Sequence, residues 1–218
     1  MKRAFVFLLA LISCFAAEAQ LRTIKPSHIY KVPNISRATY MSGNYDDQSN
    51  QLYYELYYYG TYWHRSGGEV DNIAASSTLS PQGKANYRAI NLFDHNHETA
   101  WVEGVKGYGV GQWVEFQGVR GCSIGEINIL NGYVKSDKAW SENARVRLLK
   151  VTCNGKPICI LELHNSRSLQ TFDVYKLLGH GVKTIRFEIL DVYPGTKYQD
   201  TVISEIYFDG YPDSADEY

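Results

Sequence analysis

From Ile73 onward, apolar and polar side chains alternate in short runs, and each run ends at a turn signal. Trp113-Val114-Glu115-Phe116 alternates, and Ile124, Ile127 and Ile129 recur through Ile124–Leu130 between short polar breaks. Arg145–Val151 presents Val146, Leu148 or Leu149, and Val151 to one side, and Ile158–Leu163 reads as its return strand. Thr184–Ile189 alternates again, and Val202–Phe208 closes the series. A period of two residues is the signature of a strand with one buried face. Asn131-Gly132, Asn154-Gly155 and Pro194-Gly195 supply turns between the runs,. No long amphipathic helix and no internal repeat interrupts them. Short strands at regular spacing predict an all-β sandwich or barrel.

The chain changes character near Ser66-Gly67-Gly68. The segment before it is polar and aromatic, with Tyr53, Tyr54, Tyr57, Tyr58, Tyr59, Tyr62 and Trp63 crowded together. It reads as a tyrosine-rich extension over 20–72 that packs on the domain as an arm, or else offers extra rings to a ligand. Residues 1–19 have the form of a signal peptide. Lys2 and Arg3 precede the apolar run Ala4–Ile12, and Ala17-Glu18-Ala19 fits a cleavage site that leaves Gln20 first,. Leu11-Ile12-Ser13-Cys14 also resembles a bacterial lipobox, which would place a lipid anchor on Cys14,. Either route exports the chain to the periplasm, the cell surface or the medium. No other apolar stretch has the length of a transmembrane helix. The resulting division is a leader, the extension, a β domain over 73–211 and an acidic tail over 212–218.

Composition narrows the picture further. The chain has 218 residues, 44% of them hydrophobic, which suits one domain with a full core plus an extension,. Lys plus Arg number 22 and Asp plus Glu 23, a net charge of −1, so nucleic acid has no electrostatic claim as a partner,. Export permits disulfides. Cys153 and Cys159 flank the Asn154-Gly155 turn and are candidates for a hairpin disulfide that leaves Cys122 over; three buried thiols are the other reading,.

Ala74-Ala75-Ser76-Ser77 followed by Asn91-Leu92-Phe93-Asp94-His95-Asn96-His97-Glu98-Thr99-Ala100-Trp101 resembles the opening of galactose-binding-like, discoidin (coagulation factor type C) domains. Trp101–Gly107, Gly109–Trp113, Asn131–Lys135, Asn143–Arg147, Tyr193–Thr201 and Ile203–Ile206 are similar to one branch of it. That branch is the glycan-binding domain attached to streptococcal NAD glycohydrolase and found in many bacterial surface proteins. The resemblance runs from Ile73 to Gly210. It implies a jelly-roll β-sandwich of the galactose-binding-like type and does not carry the glycohydrolase reaction, which belongs to a different domain.

The resemblance also implies sites. Related sandwiches hold a structural calcium ion in such an Asp-x-Asn-x-x-Thr loop, closed by a late glutamate; here that set is Asp94, Asn96, Thr99 and Glu205,. A bare turn capped by Asp94 is the alternative. Sugar sites in such domains lie on loops at one end, pairing a ring with planar polar groups. Tyr133, Lys135, Asn143, Arg145 and Asp200 are the first candidates, with Asn131, Trp140 and Tyr198 beside them. Asn131 also suits the Asn-Gly turn alone, and Arg145 a surface pair with Glu142. Trp101 is expected in the core. His95 and His97 are expected as solvated loop histidines, and Glu103 and Glu115 as ordinary acids rather than a hydrolytic pair. The expected function is an exported, non-catalytic carbohydrate-binding module with a glycan as ligand. The alternative is a surface adhesion protein that takes a protein partner through its loops.

Overall fold

The computed structural model describes residues 21–31, 68–178 and 180–210. The signal peptide, the tyrosine cluster and the acidic tail expected above lie outside the described residues. The described chain is an all-β sandwich. Its strands are β1 (Arg22–Ile24), β2 (His28–Lys31), β3 (Asn72–Ala75), β4 (Trp101–Val102), β5 (Trp113–Gln117), β6 (Glu126–Asn131), β7 (Ala144–Cys153), β8 (Lys156–Glu162), β9 (Ser168–Asp173), β10 (Thr184–Tyr193) and β11 (Thr201–Asp209). Two short helices, α1 (Asp137–Glu142) and α2 (Tyr175–Leu178), sit between strands.

One layer runs β2-β9-β6-β11, with β4 on the far edge of β11; the other runs β1-β8-β7-β10-β5-β3. The layers join at a single corner, where β11 lies parallel to the start of β7 through Thr201↔Ala144 and Val202↔Arg145. That corner pins the first residues of β7 and β11 side by side, and the candidate site is built around them.

Alternation explains the core. Val114, Phe116, Leu149, Val151, Ile185 and Phe187 from one layer meet Ile127, Ile129, Phe172, Ile206 and Phe208 from the other. Phe116 packs edge-on to Phe187 and Phe208, with ring centroids 5.9 and 4.9 Å apart, a geometry aromatic pairs favour,. Burying each such side chain stabilises the fold by roughly 1.5–3 kcal/mol. Val146 and Leu149 both face inward although they stand three positions apart, an odd step for a strand,. The pairing of β7 with β10 shifts register there, so that Leu148 faces Asp191 and Val146 faces Val192. Trp101 is fully buried, as expected, with its indole N–H donating to the Ser77 carbonyl at 3.1 Å.

The cysteine pairing expected for Cys153 and Cys159 is not formed. Cys122, Cys153 and Cys159 are three free, buried thiols. The hairpin register places Cys159 opposite Val151 and Cys153 opposite Lys156, so the two sulfurs belong to different cross-strand pairs. Burial pushes the Cys159 thiol up to about 12,.

Residues 21–31 form a strap over one flank. β1 runs parallel along β8, and β2 antiparallel along β9. Between them Ser27 donates twice to the Thr171 carbonyl, from its N–H at 2.8 Å and its hydroxyl at 3.0 Å. Ile24 packs against the core.

Candidate ligand-binding site

The chain gathers three loops at the joined corner. After β6, Gly132 turns the backbone with φ +83°; a Cβ there would lie 2.7 Å from the Arg145 side chain and 2.8 Å from the Trp140 ring. Ser136 then caps α1, its hydroxyl accepting from the Ala139 N–H at 3.1 Å,. The loop before β11 docks on the end of that helix. The N–H groups of Thr196, Lys197 and Tyr198 donate to the carbonyls of Ser141 and Glu142 at 2.8–3.1 Å, which supplies partners for carbonyls a helix end leaves open. The third loop carries Leu79, Gln82 and Tyr87.

Together they enclose a cavity of about 320 Å³. Five of the residues expected at a ligand face line it: Tyr133, Lys135, Asn143, Tyr198 and Asp200. They do not play equal parts. Tyr133 is only 7% exposed and its hydroxyl points to the Glu98 carbonyl, whereas Tyr198 is 41% exposed. The open aromatic face therefore belongs to Tyr198, not to Tyr133. The Lys135 ammonium lies 4.1 Å from the Tyr133 ring centroid, and Lys197 lies 4.7 Å from that of Tyr198,.

The other three expected residues lie beneath the cavity. Asn131 is buried and clamps Val146, donating to its carbonyl at 2.7 Å and accepting from its N–H at 3.0 Å. Trp140 donates its indole N–H to the Asn131 carbonyl at 2.9 Å. Arg145 does not pair with Glu142 at the surface. It is buried, its charge offset by carbonyl and amide dipoles: it donates to the carbonyls of Trp140, Asn143 and Pro194 and to the Asn165 side chain. Its guanidinium is thus occupied by the protein itself. The sequence did not single out Tyr87, Ser136 or Lys138. They sit in polar stretches without alternation, where only the closing of the loops reveals their common direction.

A second cluster lies on the loop before β4. The Thr99 hydroxyl is within 2.8–3.0 Å of both Asp94 carboxylate oxygens. The Asn96 N–H lies 3.0 Å from Asp94 Oδ1 and 2.8 Å from Glu205 Oε1, so the two carboxylates share one donor. Glu205 is fully buried, and its Oε2 has no hydrogen-bond partner. Burial, followed by the charge of Asp94, holds its carboxyl well above the usual range,. The turn capped by Asp94 is present, but it leaves a buried carboxylate short of positive charge. An all-oxygen set with that deficit fits a hard divalent cation.

Of the neighbouring histidines, His97 is not solvated and His95 is half-buried. His97 is buried, and burial lowers it to about 4; His95 stacks on Tyr207 at 5.1 Å between centroids. Among the described residues no three His, Cys, Asp or Glu side chains converge on a metal position. Glu103 and Glu115 belong to separate networks. Glu103 accepts the N–H groups of Val105 and Thr201, and Glu115 pairs with Arg186 at 2.9 Å. No helix among the described residues is long and apolar enough to cross a membrane.

The family model for the NAD glycohydrolase translocation F5/8 type C domain matches residues 63–209. No curated protein matches the chain. Among solved structures, the CBM32-1 and CBM32-2 domains of Clostridium perfringens ZmpB in complex with GalNAc align with TM-score 0.51 and 10% identity, over 88% of this chain and 40% of that one. The family 32 CBM of C. perfringens NanJ in complex with galactose aligns with TM-score 0.47 and 13% identity, over 63% of this chain and 91% of that one. A ZmpB structure that includes the M60 catalytic domain aligns with TM-score 0.47 and 13% identity over 66% of this chain, which spans only 14% of its length.

Proposed function

Because the chain belongs to the NAD glycohydrolase translocation F5/8 type C domain family, we propose that it is an exported, non-catalytic module that binds a glycan in the cavity beside Tyr198. The carrying observation is the half-open Tyr198 ring at a cavity that also presents Lys135, Asn143 and Asp200. The C–H face of a sugar stacks on such a ring, while its hydroxyls bond to ammonium, amide and carboxylate groups. The structures of related domains with galactose and GalNAc support this choice of ligand class. The fold is shared by many functions, so the site and not the fold carries the proposal.

In this reading Asp94, Asn96, Thr99 and Glu205 hold a structural calcium ion. The ion would supply the positive charge that the buried Glu205 carboxylate lacks and tie the loop before β4 to β11, with no part in chemistry,. The deciding experiment is a glycan-array screen of the exported chain with calcium and with chelator, beside Tyr198→Ala. Saturable binding to a defined glycan, lost in the variant, supports the module. A folded, calcium-loaded protein that binds no glycan favours protein adhesion instead, for which Ile29 and Tyr30, 47% and 45% exposed on the edge strand β2, are the place to look.

A further inference from the structure

The charges around the cavity do not cancel. Lys135, Lys138, Glu142 and Asp200 line it, and Lys197 stands at its rim beside Tyr198. Three ammonium groups thus face two carboxylates. Lys135 and Asp200 act with opposite sign on the same Tyr87 hydroxyl, and all three line the cavity. Glu142 acts on Lys197, which is raised first by its contact with Tyr198 and then by that carboxylate.

Lys138 is left over. It has no carboxylate within ion-pair distance and no side-chain hydrogen bond among the described residues. The acid next to it in sequence, Asp137, pairs instead with Arg167, 3.4 Å away. Glu142, four residues on, does not close an ion pair with it either. Lys135 and Lys197 form no ion pair among the described residues either, but each lies over a tyrosine ring, at 4.1 and 4.7 Å from the centroid.

We infer that the sugar bound in this cavity carries one anionic group, a carboxylate or a sulfate ester, which Lys138 receives. This rests on the glycan-binding reading and specifies its ligand class. An ammonium at the mouth of a half-open cavity is still hydrated, so the gain is modest: about 3–10-fold in affinity, reduced by salt.

Isothermal titration of the full exported chain with calcium tests it. The probes are matched triplets of neutral sugar, uronic acid and 6-sulfate in the galacto, gluco and manno series, titrated at roughly 50 and roughly 500 mM NaCl. Within the series that binds, the uronate or the sulfate is expected to bind about 3–10-fold tighter than the neutral sugar at low salt. High salt and Lys138→Gln should each bring the ratio of anionic to neutral affinity close to one. The tighter of the two anions identifies which group the site takes. Equal affinity for neutral and anionic sugars, or a preference that survives Lys138→Gln, overturns the inference and leaves the glycan reading intact. If no sugar in any series binds, or if binding is indifferent to Tyr198→Ala, the glycan reading falls and takes this inference with it.

Discussion

The guanidinium of Arg145 lies 4.3 Å from the centroid of the Trp140 ring, and through it one buried cation joins the loop after β6 to the loop before β11. Removing the side chain strands the carbonyls of Trp140, Asn143 and Pro194 and opens a hole under Gly132. Arg145→Ala is expected to cost roughly 2–4 kcal/mol, a fall of about 5–10 °C in Tm by thermal unfolding. Arg145→Lys keeps the charge and loses the planar fork, so it should recover little of that loss.

Tyr133 and Tyr198 should separate in their effects. Tyr198→Ala is expected to weaken glycan binding by about tenfold or more with Tm unchanged, since its ring stands open,. Tyr133→Ala removes a buried ring from the cluster with Tyr87 and Val102, so it should lower Tm,. Titration calorimetry beside thermal melts distinguishes them.

Glu205 gives a pH dependence whose sign follows from its raised carboxyl. With chelator present, the folded chain retains this proton to higher pH than the unfolded chain does. Stability from this group is therefore present at low pH and is lost as pH rises above about 4.5. His97, lowered to about 4, acts in the opposite direction: its contribution is present above about 6.5 and is lost as pH falls toward 4,. Comparing wild type with Glu205→Gln isolates the first effect. In chelator the variant should gain on wild type as pH rises from about 4.5 to neutrality. Millimolar calcium should raise the Tm of wild type and not of the variant.

The three thiols are expected to resist a thiol reagent at pH 8 in the native protein and all to react after denaturation without reductant,. Native mass should be the same before and after reduction.

Much of this architecture was legible in the chain because alternation marks any strand with one dry face. Trp113–Gln117, Lys156–Glu162 and Thr201–Asp209 form where the pattern puts them. β9 escaped because Gln170 occupies a fully buried position and satisfies itself on His164, accepting from its N–H at 2.7 Å and donating to its carbonyl at 2.9 Å. A polar residue in the core erases the period. The same limit applied at the site. Residue type identified Lys135, Asn143, Tyr198 and Asp200 as suited to a sugar, but Arg145 is of equally suitable type and is consumed by backbone carbonyls. Only the packing of loops distant in sequence separates a group that faces outward from one that holds the wall.

The strap over β8 and β9 bears on self-association. Those two strands are seven and six residues long, and bare edges of that length are templates on which strands of other molecules can continue a sheet. The strap replaces them with edges of three and four residues, separated by a crossing that contains Pro26 and Lys25. A chain lacking residues 21–31 would present both long edges to its neighbours, so its first failing would be one of colloidal behaviour, visible as concentration-dependent light scattering while the cavity at the joined corner still stood.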